Sequence, residues 1–172
     1  MKTLLISYSM TGNNEALAAS IATKLGAGHV RVTDAKKRTM GMTAFDMLFN
    51  RTPKIEMPEI KLADYGKVVF FAPIWMAKVA SPLRGCFKKL ASGISTYSFV
   101  SLSGGAGGAD ITAKLTKELE KMLGKKPAQV IDMHIADLLP QEPKPTREIT
   151  SSWRMNDKDL KSLSESIAAK LV

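Results

Sequence analysis

Apolar segments of strand length alternate with amphipathic segments along the chain. Five apolar or alternating segments predict strands at residues 3–8, 28–33, 67–73, 96–103 and 128–134. Hydrophobic residues recur at helical spacing in four further segments, at residues 14–25, 81–90, 110–122 and 157–171. This alternation predicts an α/β domain with a mainly parallel sheet and right-handed crossovers.

Local signals predict where several helices begin and end. Ser81 and Pro82 are typical of an N-cap followed by the first helical residue. Gly26 and Gly124 each follow the last apolar residue of a helical segment, as C-terminal capping glycines do. These signals predict helix boundaries without reference to tertiary contacts.

Two longer segments interrupt the alternation. Residues 36–62 include a capping box at Thr43, followed by Phe45, Leu48 and Phe49 on one helical face. We expect this face to pack on the body of the domain; the alternative is a lid over a ligand or a docking surface. Residues 136–155 hold three of the eight prolines and predict an irregular surface connection.

Composition narrows the class of protein. A length of 172 residues predicts one domain, residues 1–172. The single cysteine excludes an internal disulfide framework, a cysteine-based zinc finger and an iron–sulfur cluster, and two distant histidines argue against a histidine-rich metal site. The apolar start ends at Ser7, too early for a signal peptide, and no apolar segment has membrane-spanning length, so a soluble cytoplasmic protein is expected.

The chain is basic, with 25 Lys and Arg against 16 Asp and Glu and a net charge of +9. Its tight basic runs are at 36–38, 88–89 and 125–126. None is interleaved with the aromatic residues on which nucleic-acid bases stack. We therefore interpret the charge as a solvated surface and expect neither a nucleic-acid nor a membrane partner.

The loop after the first strand has the chemistry of a phosphate site. In a parallel sheet, ligands bind beyond the carboxyl ends of the strands, which selects the loops after strands one, three and four. Hydroxyls, amides and a glycine lie between Ser9 and Asn14, where a helix N-terminus supplies free N–H groups and a positive dipole end. The loop has neither the nucleotide P-loop pattern nor the dinucleotide pattern G-x-G-x-x-G.

The segment Ser9-x-Thr11-Gly12-Asn13 resembles the FMN phosphate loop of the flavodoxin family, which reads roughly S/T-x-T-G-x-T. Residues 73–76, with Pro82-Leu83 downstream, resemble that family's second ligand loop, and residues 103–108 resemble its third. The resemblance covers nearly the full length. It implies a three-layer flavodoxin-like fold, with a five-stranded parallel sheet of order 2-1-3-4-5 and helices on both faces.

The resemblance implies non-covalent FMN as the cofactor, without a catalytic residue or a metal. The implied phosphate-binding residues are Ser9, Met10, Thr11, Gly12, Asn13 and Asn14. The implied ring-binding residues are Pro73, Ile74, Trp75, Met76, Ala77, Lys78, Ser103, Gly104, Gly105, Ala106 and Gly107. Among them the tryptophan is suited to stacking on a flat ring, and the glycines let backbone N–H groups approach a ligand.

Departures from the family pattern shape the functional expectation. Asn14 stands where threonine is frequent, and its amide is expected still to donate to the phosphate. Residues 103–108 contain no aromatic residue to cover the ring, and Lys78 replaces acidic surroundings. An open ring face and a raised flavin potential favour an NAD(P)H-dependent reductase over a low-potential carrier. Expected partners are a redox protein or an NAD(P)H- or quinone-type molecule, with the chain a monomer or homodimer.

Two functions other than FMN-dependent electron transfer are alternatives for a chain of this predicted fold. The fold could have lost its flavin and act as an interaction module through its basic surface. A phosphotransfer receiver domain shares the strand order but needs acidic residues where this chain has Ser7, Tyr8 and Pro73. Cys86, His29 and His134 lack visible catalytic partners and are expected to be structural.

Overall fold

The computed structural model of the chain describes residues 2–105 and 109–172. The strands are β1 Thr3–Ser7, β2 Gly28–Arg31, β3 Thr33–Asp34, β4 Ile55–Glu56, β5 Lys67–Phe71, β6 Ile74–Trp75, β7 Lys78–Val79, β8 Thr96–Ser103 and β9 Gln129–His134. The α-helices are α1 Asn13–Leu25, α2 Met40–Leu48, α3 Ser81–Leu90, α4 Ala109–Leu123, α5 Arg147–Ser152 and α6 Asp157–Leu171. Within these described ranges, no helix combines the length and apolarity needed to cross a membrane.

The central sheet has five parallel strands in the order β2-β1-β5-β8-β9. Numbered among themselves along the chain, these strands have the order 2-1-3-4-5, which confirms the predicted topology. Two short antiparallel strand pairs accompany the sheet: β3 with β4, on either side of α2 in the chain, and the hairpin β6–β7. Both pairs were missed because each strand has only two residues.

Helices cover both faces of the sheet, because successive strand residues point to opposite sides. On one face, Phe70 packs edge-to-face on Phe87 of α3, with ring centroids 4.9 Å apart, in a core shared with α4. On the other face, Phe71 belongs to a core shared with α1 and α6. Cys86 lies in the first core, where burial raises its thiol pKa to about 12, consistent with the expected structural role.

The capping glycines are as predicted, but the start of α3 is not. Gly26 and Gly124 both adopt positive φ, at 58° and 72°, directly after α1 and α4. The N-cap of α3 is Ala80, and Ser81 lies in the first turn, so the prediction of Ser81 as N-cap was wrong. The reason is tertiary: the N–H of Ala80 donates to Pro73 O at 3.2 Å, which ties this residue to the β6–β7 hairpin.

The expected packing of the aromatic face of α2 was also wrong. The helix begins at Met40 with Thr39 as its N-cap, and Phe45, Leu48 and Phe49 are 48%, 67% and 60% exposed. The buried side chains are instead Thr43 and Met47, four residues apart. Asp46, beside Met47, pairs with the buried guanidinium of Arg38, and this pair holds the side with Thr43 and Met47 toward the body of the domain.

The segment 136–155 is more regular than predicted. It contains the 3₁₀ turn Ile135–Leu138 at its start and the six-residue helix α5. Thr146 caps α5 by accepting a hydrogen bond from Ile149 N–H at 3.4 Å. The buried Thr150 in this helix reaches the third ligand loop described below.

We expect His29 to make the folded chain less stable in mild acid. Its Nε2 lies 2.9 Å from Ser7 Oγ, and burial lowers its pKa, opposed by Glu15 and assisted by Arg31. The unfolded chain then binds a proton more readily below about pH 6.5, so stability should fall as the pH drops through that value. Urea unfolding at about pH 7.5 and about pH 5.5 measures the change in the free energy of unfolding. This free energy should fall more in the native chain than in His29→Gln as the pH is lowered. Equal losses would contradict this role.

Candidate functional site at the carboxyl edge of the sheet

The three predicted ligand loops meet at one edge of the molecule. They follow β1, β5 and β8, which are adjacent parallel strands. Parallel strands end at the same edge of a sheet, so the chain folds these loops into one neighbourhood although they are far apart in sequence.

The first loop leads into α1 through Gly12, which adopts φ 88° and ψ −20°. A Cβ on this residue would meet no atom within 4 Å, so its backbone angle, not space, demands glycine. The N-cap residue, Gly12, has no side chain, and Ser9 Oγ instead accepts from the N–H of Asn14 in the first turn at 3.2 Å. Met10 and Thr11 are partly exposed. The loop therefore presents backbone N–H groups and a hydroxyl beside solvent.

The side chains of the two asparagines have other partners. Asn14 is buried, donates to Leu102 O at 2.8 Å and accepts from Leu102 N–H at 3.0 Å. Asn13 donates to Trp153 O at 3.1 Å and accepts from Met155 N–H at 3.0 Å. Both amides thus join the first loop to backbone that is distant in sequence. The Asn14 side chain, which was expected to donate to a phosphate, instead bonds to Leu102.

The second loop is the tight β6–β7 hairpin, in which Trp75 pairs with Lys78. Its two turn residues, Met76 and Ala77, have φ 51° and 59°. Such turns favour Asn and Gly, since other residues are strained at positive φ. Met76 is 65% exposed, so the strain occurs at the tip of the loop.

Replacing Met76-Ala77 by Asn-Gly is expected to raise the free energy of unfolding by about 1 kcal/mol, because the new pair accepts the left-handed conformation. Urea denaturation measures the change. The pair Lys36→Asn and Lys37→Gly, on an exposed segment without positive φ, is a control expected to give no such gain. A destabilised Asn-Gly variant would contradict strain in this turn.

Trp75, in the β6–β7 hairpin, contacts Tyr8, which directly follows β1. Its half-buried ring meets Tyr8 edge-to-face, with centroids 5.8 Å apart and planes at 86°. The Tyr8 hydroxyl donates to Asp34 Oδ2 at 2.8 Å, and Asp34 pairs with Arg38. Burial is the main cause that raises the pKa of the Tyr8 hydroxyl, and the hydrogen bond to Asp34 raises it further. This network fixes the position of the tryptophan at the sheet edge.

The third loop begins at the buried Ser103, whose Oγ lies 3.4 Å from Ser101 Oγ. A Cβ on Gly104 would lie 3.0 Å from Thr150 Oγ1, so α5 requires a small residue here. Gly105 is exposed and has open space beside it. Ala106 and Gly107 lie outside the described residues, and their predicted contacts remain predictions.

A cleft of about 140 Å³ separates the second loop from the third. It is lined by Ile74, Met76, Ala77, Ser103, Gly105, Ile111, Asp132 and His134. Five of these are predicted site residues. Lys78 is not brought into this cleft: its Nζ lies 3.4 Å from Asn50 Oδ1, beside a different cleft.

Asp132 and His134 are the residues that sequence reasoning missed as site residues. His134 Nε2 lies 3.2 Å from Asp132 Oδ2, and both side chains are largely buried. Burial raises the pKa of Asp132, against the effects of His134 and Ser101. Within the part of the chain that the structure describes, His134 Nδ1 is buried without a hydrogen-bond partner. The i, i+2 spacing at the end of a predicted strand was the available signal.

Comparison with solved structures supports the architecture. A flavoprotein of Lactobacillus acidophilus NCFM, solved in complex with FMN, has a TM-score of 0.66 at 16% identity, over 76% of this chain and 92% of that one. The chain has a flavodoxin-like fold. Two further structures with this flavodoxin-like arrangement are described as flavoproteins. The structure from Bacteroides uniformis has a TM-score of 0.67 at 20% identity, over 88% of this chain and 96% of that one. The structure from Bacteroides eggerthii has a TM-score of 0.65 at 16% identity, over 97% of this chain and 98% of that one.

Neither protein-family models nor curated protein sequences gave a match to the chain. At these identities the flavodoxin-like similarity is one of fold.

Proposed function

We propose that the chain binds FMN non-covalently at the carboxyl edge of its sheet and transfers electrons through it. The observation that carries the proposal is the start of α1. A glycine at φ 88° is the N-cap of that helix, with the Ser9 hydroxyl beside it, at the same edge as Trp75 and the glycines after β8. The Lactobacillus acidophilus protein with the same fold was solved with FMN.

The first loop would hold the phosphate. Backbone N–H groups at the start of α1 and the hydroxyl of Thr11 supply donors, and the helix dipole favours negative charge there. Ser9 and Gly12 shape the loop, and Met10 forms its exposed side. Asn13 and Asn14 contribute by fixing the loop against Trp153 and Leu102.

The second and third loops would frame the ring. Pro73, Ile74, Trp75, Met76 and Ala77 would form one side, and Ser103, Gly104 and Gly105 the other. Ala106 and Gly107 complete the predicted set, whereas the Lys78 side chain lies beside the other cleft. The cleft of about 140 Å³ is smaller than the roughly 300–1,000 Å³ of typical ligand pockets. An edge of the ring therefore fits it, and the remainder would face solvent.

When bound, FMN supplies the ability to accept and pass on one or two electrons. The residues of the chain orient it and set its electrostatics. His134 Nδ1 is buried beside the cleft without a hydrogen-bond partner among the described residues, so a polar group of the ring that reaches the cleft would find a partner there. An open ring face and net basic charge favour a reductase that takes electrons from NAD(P)H over a low-potential carrier. The predicted cytoplasmic location and single domain remain predictions.

Anaerobic mixing of the FMN-loaded chain with NADH or NADPH tests the reductase proposal. Bleaching of the flavin absorbance, reversed by a quinone, is the expected result. Bleaching by dithionite but by neither nicotinamide would instead indicate a carrier that needs a protein partner. A chain that binds no FMN but captures an acidic protein would favour the flavin-free interaction module.

A further inference from the structure

A second and larger cleft lies outside the proposed flavin site. Its volume is about 420 Å³, within the range of small-molecule pockets. The walls come from α3, α4, the β6–β7 hairpin and the segment after α2. The lining residues are Asn50, Thr52, Lys78, Arg84, Phe87, Lys88, Glu118, Lys121 and Met122.

The cleft is strongly cationic. Four of its lining side chains are Lys or Arg, and Glu118 is the one carboxylate among them. Lys88 and Lys121 are exposed at the rim, whereas Arg84 is buried. Clustered positive charge against low-dielectric walls attracts anions.

Arg84 has unused hydrogen-bonding capacity. Its side chain is only 8% exposed, and among the described residues its buried Nε and Nη2 have no hydrogen-bond partner. The nearest carboxylate atom, Glu118 Oε1, is 3.7 Å from Nη2, which is too far for a hydrogen bond. Buried guanidinium N–H groups without hydrogen-bond partners are costly even beside a carboxylate, so a ligand that accepts hydrogen bonds from them gains free energy.

Glu118 lies beside Arg84 and balances one of the four positive charges of the cleft. Its Oε2 accepts a hydrogen bond from Val79 N–H at 2.9 Å, which anchors the carboxylate to the hairpin. Burial raises the pKa of Glu118, against the hydrogen bond from Val79 and the charges of Arg84 and Lys78. One carboxylate held by the backbone leaves the other three cations of the cleft without a counter-charge inside it.

The cleft also has an apolar part. The half-buried Met122 of α4 contributes apolar surface to it, with the buried Phe87 of α3 beneath. A bare inorganic anion would leave this surface unused. A ligand that joins an anionic group to a flat or apolar group would use both parts.

We propose that this cleft binds a small organic phosphate. The planar fork of Arg84 suits two phosphate oxygens, and the flexible Lys88 and Lys121 add charge from the rim. The flat part of the ligand lies toward Phe87 and Met122. This site is separate from the phosphate loop at α1 and does not depend on FMN binding.

Titration calorimetry with ADP, on the chain saturated with FMN and again without it, tests the proposal. One ADP per chain is expected, and adenosine should not bind. Arg84→Gln should weaken ADP binding by about tenfold or more, because a charge-assisted hydrogen bond is lost. Lys121→Gln should weaken it by about threefold. Lys114→Gln, exposed on the same helix but outside the cleft, should have no effect.

Three results would overturn the proposal. One is the absence of saturable ADP binding. Another is competition between ADP and FMN, which would place ADP at the α1 loop. The third is equal ADP affinity in Lys121→Gln and Lys114→Gln, a comparison that stands even if Arg84→Gln fails to fold. If FMN itself does not bind, the titration without FMN still decides this site, so the two proposals fail separately.

Discussion

Replacing Gly12 by alanine is expected to weaken FMN binding by about tenfold, because a left-handed residue other than glycine costs about 1–2 kcal/mol. Gly12 holds φ 88° at the start of α1, where the backbone N–H groups would meet the phosphate. In the free chain the alanine would relieve this strain by turning those N–H groups away, and FMN binding would have to restore the strained conformation. Flavin fluorescence quenching measures the affinity.

Gly26→Ala is the matched control. Gly26 also has positive φ, 58°, but lies at the opposite end of α1. Both variants should lose similar stability, and only Gly12→Ala should lose FMN affinity. Equal weakening in the two variants would attribute the effect to the helix as a whole and contradict a phosphate loop at Gly12.

Replacing Asn14 by alanine is expected to lower the free energy of unfolding by about 3 kcal/mol, because it leaves two buried backbone groups without partners. Its side chain satisfies both the N–H and the C=O of Leu102 in β8. Urea denaturation gives the loss. The same change should loosen the first loop relative to the third, since β8 ends at Ser103.

Asn156→Ala provides the comparison for Asn14→Ala. Asn156 caps α6, accepts from Asp159 N–H at 2.9 Å and is exposed. Its loss should cost about 1 kcal/mol, the usual value for an N-cap. If Asn14→Ala lowers the free energy of unfolding by no more than Asn156→Ala does, the hydrogen bonds between Asn14 and Leu102 do not hold the first loop in place.

The sheet was predictable because its signals are local and strong. The strand predicted at residues 96–103 is β8 with the same bounds, since an apolar run there is buried along nearly its whole length. The resemblance at residues 9–13 supplied the strand order. Gly26 and Gly124 could be predicted as helix ends because positive φ favours glycine.

The parts that were not predicted depend on contacts across the chain. Asn14 lies 88 residues from Leu102 in the chain, so no local pattern in the sequence indicates their contact. The position of Asn14 in the first loop suggested phosphate binding, whereas its side chain bonds the backbone of β8. The turn at Met76-Ala77 lacks the Asn and Gly that indicate a hairpin. Arg38 pairing with Asp46 determines which side of α2 is buried, and a helical pattern alone does not contain that pairing.

Titration of the purified chain with FMN, followed by flavin fluorescence, tests the central claim most directly. The account predicts quenching that saturates at one FMN per chain, with riboflavin binding far more weakly because it lacks the phosphate. Absence of quenching would contradict the flavin site itself. Equal binding of riboflavin and FMN would contradict the phosphate loop at the start of α1.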